Sequence, residues 1–407
     1  MGFCDVAVYR RDGLRRSLMS PRVALYTYAT QPRGGVAHAI ELGNALHAAG
    51  VTVMLHALDD GGGFFRSPRC PYRTIAVPRE RGDIVSLVRS RIAAYIAALE
   101  RSHDTFDIHH AHDGISGNAL ATLVERGAID AFARTVHHAD DFSDGTLAEL
   151  QTRSIRAARD VFVVSDVWRD EVRALFGIEA SRVTNGVDAA RFVPISARER
   201  MRIRRRFGVA GSPIYLAIGG IEARKNSLGI LEAFARVRIV HPGAQLVVAG
   251  GASVFDHTAY RRSFAARAEM LGLEIGSSVI VLGIVADPEM PGLIASADAL
   301  VFPSLTEGFG LVVLEALACE VPVVTSAIAP FTEYVGSDEA ELVDPADPDA
   351  IAAGMISAIK TAQRTRRVLA GRAVVDRFSW PASARTHIAR YEEILRARDP
   401  FRRALAR

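Results

Sequence analysis

Pro303-Ser-Leu-Thr-Glu-Gly-Phe-Gly-Leu-Val-Val-Leu-Glu-Ala-Leu-Ala-Cys-Glu-Val-Pro-Val-Val-Thr-Ser326 reads as loop, helix, turn and strand. The apolar run Ala299-Leu-Val-Phe302 before it predicts a short buried strand, ended by Pro303 and Ser304. Gly308 and Gly310 bracket Phe309, expected to be exposed, at the start of a helix. Leu311 to Ala318 holds helix formers and no breaker, and Val321 to Thr325 predicts the next strand. Glycines at a helix N-terminus let main-chain N–H groups approach an anion that the helix dipole favours. Glu307 lies in the loop. Glu315 lies on an apolar helix among Leu314, Ala316 and Leu317, where a glutamate needs a partner. A carboxylate at that depth can accept the hydroxyls of a ribose. An anion pocket with acidic acceptors beside it suits a sugar nucleotide.

The same alternation runs outward in both directions. Val23 to Tyr28, Val51 to His56, Phe106 to His110 and Val161 to Val164 are apolar strands separated by helical stretches, the first of these from about Val36 to Ala49. Character changes between Arg191 and Gly211, where the linker is placed. Strands at Ile214–Ile218, Gln245–Ala249 and Val279–Leu282 follow, with helices at Ser227–Val240 and Ala259–Leu271. The last helices are expected over Pro348–Thr361 and Trp380–Arg396. This pattern predicts two doubly wound α/β domains whose strand ends face each other across a cleft. The expected organisation is an extension over 1–20, an acceptor-side domain over 21–193 completed by a C-terminal helix 378–396, and a nucleotide-sugar domain over 194–377. Translation starting at Met19, or a disordered extension, is the expectation for the first residues.

With 407 residues, 49% apolar and 23% charged, the chain has the composition of a globular protein of two or three domains. A net charge of +3 gives no case for nucleic-acid binding. Cys4, Cys70 and Cys319 form no metal-ligand or disulfide framework and fit a reducing cytoplasm. No apolar run reaches the ~20 residues of a membrane-spanning helix.

Several features carry two readings. Gly34-Gly35 after the first strand is a ligand-approach turn or a plain tight turn. Gly219-Gly-Ile-Glu-Ala-Arg-Lys-Asn226 offers Arg224 and Lys225 to phosphate oxygens, or is a basic loop before a helix capped by Asn226. His109, His110, His112, His137 and His138 sit near strand ends, with Asp113 and Asp141 at hand for a metal. A sugar hydroxyl or main-chain partner for His137 or His138 is the preferred reading over a metal. Asp347-Pro-Asp349 matches an Asp-x-Asp metal motif, but an N-cap is preferred. The basic run Arg198–Arg206 is read as a solvated linker helix, with contact to an anionic membrane surface as its alternative.

Together these residues resemble the GT-B glycosyltransferases of family GT4, the large retaining group, from about Arg22 to Tyr391. Glu307-Gly-Phe-Gly-x4-Glu315 is similar to that family's E-x7-E motif. Asn185-Gly-Val-Asp188, the Arg224-Lys225 loop and Phe378-Ser-Trp380 match as well. Pro32-Arg-Gly-Gly35, Thr135-Val-His-His138 and the Gly219 loop resemble one bacterial subgroup. The resemblance implies a nucleotide diphosphate sugar as donor, bound by the second domain. Glu315 would hold the ribose, and Glu307 with the main chain of Gly308, Phe309, Gly310 and Leu311 the sugar and diphosphate. Lys225 would neutralise the leaving group, Gly34 and Gly35 would approach the phosphate, and His137 or His138 would meet the sugar. It further implies retention, no metal and no cofactor, with the leaving phosphate taking the acceptor's proton. The acceptor would be a saccharide, lipid or small molecule. One departure is that Gly219-Gly220 stands where the family often reads Gly-Arg, which leaves Arg224 as the substitute. Alternatives on the same fold are a nucleotide-sugar epimerase, a sugar phosphorylase and a non-catalytic nucleotide-sugar binder.

Overall fold

The structure, a computed structural model, describes residues 21–79, 82–251 and 258–398. The expected extension over 1–20, including Cys4, lies outside the described residues. The chain divides into two compact units. One comprises residues up to Val136, Asp141–Phe162 and residues from Ala384; the other comprises His137–Asp140 and Val163–Ser383.

The first sheet has seven strands in the order β3-β2-β1-β4-β5-β6-β7. They are β1 (Arg22–Thr27), β2 (Thr52–Asp59), β3 (Tyr72–Ala76), β4 (Ile108–Ala111), β5 (Ala133–Val136), β6 (Asp160–Val163) and β7 (Ser181–Arg182). β1 pairs in parallel with β2 on one side and β4 on the other, in register Val23 with Val53 and Val23 with Ile108. Val23 to Tyr26 are fully buried, which is why this strand reads as a continuous apolar run.

The second sheet has six strands, all pairs parallel, in the order β10-β9-β8-β11-β12-β13. They are β8 (Ile214–Ile218), β9 (Gln245–Ala249), β10 (Val279–Gly283), β11 (Ala299–Phe302), β12 (Val323–Ser326) and β13 (Glu341–Val343). Both faces are covered. Ile214, Leu216, Leu300 and Phe302 enter one apolar cluster, and Tyr215, Ala217, Ala299 and Val301 enter the other. Side chains alternate faces along a strand, and helices pack on each side.

In both sheets the chain starts at the centre, winds outward one way, then returns to wind the other way. Strand order therefore reverses between β1 and β4, and again between β8 and β11. Ligand crevices in such sheets open at the carboxyl ends of the strands flanking the reversal.

Several expectations move. The helix expected over Pro348–Thr361 ends at Ala358, and a further, unexpected helix, Thr361–Arg377, follows it. Asp347 caps the first of them, its Oδ1 accepting from Asp349 N at 2.8 Å, which is the preferred N-cap reading of Asp347-Pro-Asp349. The basic helix Ala197–Arg206 ties several of its arginines down. Arg200 and Arg204 pair with Asp298 at 3.4 and 3.0 Å, and Arg206 pairs with Glu289. No helix among the described residues is long and apolar enough to cross a membrane.

Candidate functional site

The loops after β8 and β11 meet at the strand-order reversal of the second sheet. β8 runs into Gly219 and Gly220, both with positive φ (120° and 77°). A Cβ on Gly220 would lie 2.7 Å from Gly251 O, so this backbone leaves no room for any side chain there. The amides of Gly219 and Gly220 both donate to Ala249 O, at 2.9 and 3.0 Å. The turn throws Glu222, Arg224 and Lys225 toward the end of β11. There Leu305 N donates to Arg224 O at 2.9 Å and locks the two loops together.

Glu307 is the meeting point. Its Oε1 takes the Lys225 ammonium and, at 3.0 Å, the Arg224 guanidinium. Lys225 Nζ also lies over the Phe302 ring, 4.6 Å from its centre. Burial alone would raise the Glu307 carboxyl, but Lys225 and Arg224 outweigh it and hold it below the usual carboxylate range. Burial lowers the Lys225 ammonium, with Glu307 opposing. Lys225 and Glu307 are nearly closed off, with side chains 14% and 8% exposed, whereas Arg224 is 40% exposed. Lys225 and Arg224 converge on one carboxylate oxygen of Glu307, with Glu222 acting on Lys225 and Asp140 on Arg224 from further off, and two cations grouped at a strand-order reversal suit an anionic ligand.

The turn Glu307–Gly310 leads into the helix Leu311–Ala318. Gly310 is left-handed (φ 88°), and a Cβ there would meet the Phe331 ring at 2.6 Å. Phe309 is not exposed as expected but 6% exposed. Its ring stacks on Tyr334 with centres 4.7 Å apart, because the flanking glycines let the backbone fold the ring inward. Glu315 lies half-buried just over one turn into the helix. Burial, with the Glu315 charge adding to it, pushes the Cys319 thiol up to about 12, so that thiol is inert.

His137–Asp140 belongs to this same unit. A Cβ on Gly308 would lie 2.2 Å from His137 O, so the two backbones touch and only glycine fits. His138 Nε2 lies 3.4 Å from Asp140 Oδ1, and its ring is 6.4 Å from that of Trp168. Burial would raise the Asp140 carboxyl, but His138 and, further off, Arg224 bring it below its ordinary value. His138, Asp140, Arg224, Lys225 and Glu307 thus belong to one unit, with Arg224 the electrostatic link between Asp140 and Glu307.

Gly34 and Gly35 open the helix Gly34–Ala48 of the first unit, and a Cβ at Gly34 would meet nothing within 4 Å. His109 and His110 are spoken for inside that unit. His109 Nδ1 is 2.8 Å from Tyr26 OH, and His110 bonds Tyr391 OH and Thr135 Oγ1, each at 2.7 Å. Asp113 caps the helix Gly114–Glu125 through Ser116 N at 2.7 Å. Asn226 begins its helix in a left-handed conformation without the expected side-chain cap. Its amide donates to Pro345 O at 2.6 Å instead.

Sequence reasoning misses Asp140, Ser165 as a loop anchor, Trp168, Glu333 and Tyr334. Trp168 Nε1 donates to Glu307 O at 2.9 Å, and Ser165 Oγ to Gly308 O at 3.1 Å. Ser165 occupies the N-cap position of the helix Asp166–Phe176, yet its hydroxyl does not cap it. Glu333 does, accepting from the amides of Asp166 and Val167 at 2.7 and 2.8 Å. Asp140 alone left a trace, standing beside the His137-His138 pair.

Residues 32–191 match Glycosyltransferase Family 4, and residues 199–373 match Glycosyl transferases group 1. O-antigen chain mannosyltransferase B of Escherichia coli is 32% identical over 237 residues, covering 56% of this chain and 58% of that protein. The GDP-mannose-dependent alpha-(1-6)-phosphatidylinositol monomannoside mannosyltransferase of Mycolicibacterium smegmatis is 31% identical over 300 residues, covering 70% of this chain and 75% of that one. Among solved structures, Anabaena HepE in complex with UDP and glucose superposes with a TM-score of 0.73 at 19% identity, over 90% of this chain and 98% of its own. With both halves matched and two Rossmann-like sheets in place, the chain belongs to glycosyltransferase family 4, enzymes of the GT-B fold.

Proposed function

We propose that this chain moves a hexosyl unit from a nucleoside diphosphate sugar to an acceptor hydroxyl, with retention and without metal. The observation that carries the reading is the buried Glu307 carboxylate shared by Lys225 and Arg224 at the strand-order reversal. The diphosphate would lie beside these two cations, whose further acidic neighbours are Glu222 for Lys225 and Asp140 for Arg224. Lys225 and Arg224 neutralise its charge, and the N–H groups of Gly308 to Leu311 add the field of a helix N-terminus. Glu307 accepts from a sugar hydroxyl, Glu315 from the ribose, and His137 or His138 meets the sugar. The acceptor oxygen bonds the anomeric carbon as the bond to the leaving phosphate breaks on the same face. The acceptor's proton passes to that phosphate oxygen, so no carboxylate nucleophile is required. The relatives named for GDP-mannose and UDP support a nucleoside diphosphate without choosing the base. The free, buried Cys70 and Cys319 support a reducing compartment such as the cytoplasm.

The test is thermal stabilisation by UDP, GDP and ADP in EDTA, followed by turnover of the matching sugar nucleotides read by mass spectrometry. We expect one nucleotide to stabilise the protein and Glu315→Ala to lose that response. Stabilisation by none of the three overturns the reading, and a metal requirement overturns its metal-independent part. An unchanged response in Glu315→Ala removes the ribose assignment.

A further inference from the structure

Four consecutive carbonyls in the turn Glu307–Gly310 are held from outside by buried side chains. Glu307 O accepts from Trp168 Nε1 at 2.9 Å, and Gly308 O from Ser165 Oγ at 3.1 Å. Phe309 O accepts from Tyr334 OH at 3.0 Å, and Gly310 O lies 3.4 Å from the same hydroxyl. Ser165, Trp168 and Tyr334 are 1%, 8% and 3% exposed, so none of these donors can fall back on solvent. One dipeptide ties the anchors together. Glu333 caps the helix that carries Trp168, while its neighbour Tyr334 reaches the turn.

The peptide units here are trans, so each N–H points opposite the carbonyl of the preceding residue. Fixing the carbonyls of residues 307 to 310 therefore fixes the N–H groups of residues 308 to 311, aimed away from the anchors. We infer that Ser165, Trp168 and Tyr334 are positioning residues that aim the N–H row of Gly308–Leu311 at the donor diphosphate. This rests on the proposed reading of the site. Preorganised donors gain their effect by needing no rearrangement when charge arrives, so a loosened anchor weakens anion binding without touching the ligand.

The experiment uses whichever of UDP, GDP and ADP stabilises the wild type, and measures its Kd by calorimetry beside the melting temperature of the ligand-free protein. Ser165→Ala, Trp168→Phe and Tyr334→Phe each remove one donor and keep most of the shape. Each is expected to weaken the nucleotide by about fivefold to tenfold, the size of one net hydrogen bond. Ser165→Thr keeps the hydroxyl and is expected to stay within about twofold of wild type, on the same scale. A lowered melting temperature with wild-type Kd in all three variants overturns the inference and leaves the anchors merely structural. If Trp168→Phe does not fold, Ser165→Ala, which leaves the indole in place, decides alone. A wild type that binds none of the three nucleotides removes the proposed function itself, and this inference falls with it.

Discussion

The two units each bury a set of ionisable groups, and they solve the problem in opposite ways. In the first, His56 stands on β2 and His109 and His110 on β4, the two strands that flank β1. Burial, before any other influence, pushes His56 and His109 down to about 4 and His110 well below its ordinary value. They are neutral at pH 7. His110 satisfies both ring nitrogens, on Tyr391 and Thr135, and His56 stacks on Tyr26 with centres 5.0 Å apart. In the second unit Lys225 and Glu307, nearly as enclosed, face each other, and each favours the charged form of its partner against the cost of burial. Neutral burial avoids the cost of desolvating a charge, whereas a buried ion pair seldom stabilises a fold more than apolar groups would. A fold keeps such a cluster where its charge is used.

The sharpest way to break that comparison is to remove one member from each set. Glu307→Ala leaves Lys225 buried without its anion, and about 3–5 kcal/mol of stability should go with it. Transfer should fall by about a hundredfold or more, the scale of losing one preorganised electrostatic contact. Glu307→Gln keeps the volume and should show the same loss of rate with less loss of stability. His110→Leu strands the hydroxyls of Tyr391 and Thr135 and should cost roughly 1–3 kcal/mol each, while folded protein transfers at the wild-type rate. Steady-state transfer rates beside denaturant melts read both quantities. A Glu307→Gln enzyme at wild-type rate, or a folded His110→Leu enzyme without activity, would collapse the distinction.

Acid separates the two sets next. His56 and His109 have folded values of about 4 against 6.5 when unfolded. Between those values the unfolded chain binds more protons, so stability falls as pH drops from about 6.5 toward 4. The loss is ~1.4 kcal/mol per pH unit per histidine at most, up to roughly 3 kcal/mol each. Glu307 behaves differently, since its folded carboxyl lies below the ordinary 4.5. Its contribution is fully present above the unfolded value and is lost only as pH falls through the folded one. Denaturant midpoints should therefore decline between pH 6.5 and 4.5 while the ion cluster stays intact. His56→Phe should flatten part of that decline, and a flat profile in the wild type would show that these rings are not neutral in the fold.

The contrast also explains what could be read from the chain. Strands β8, β9 and β11 are legible to the residue because both their faces are buried, which leaves an unbroken apolar run. Strand β3 is not, since four of its five residues are exposed, nor is the helix Thr361–Arg377, whose buried face comes down to Gly371, Val374 and Val375. Glu307, Lys225 and Arg224 are legible because each sits just past a strand in a glycine turn. The anchors of the Glu307 turn are not. Trp168 is 139 residues from Glu307, and no local period marks a hydrogen bond of that span. Phe309 misleads for the same reason, because Tyr334, the ring that covers it, lies 25 residues further on.

The smallest expected effect asks whether the charged set needs both cations. Gly220 cannot carry a side chain on this backbone, so any second positive group must come from elsewhere in the loop. Arg224 is the group at hand, 3.0 Å from Glu307 and 40% exposed. A pair that open to solvent contributes ~0–1 kcal/mol to folding, so Arg224→Ala should melt within a few degrees of wild type. Its worth shows only when the diphosphate arrives, since an arginine is then lost from an anion site rather than from a surface pair. Nucleotide affinity should drop about tenfold, or ~1.4 kcal/mol, and Arg224→Lys should recover part of it as a point charge without the fork. Wild-type affinity in Arg224→Ala would leave Lys225 as the sole cation for the phosphates. It would also make Arg224 a partner of Glu307 and Asp140, holding the acidic side of the site rather than the donor.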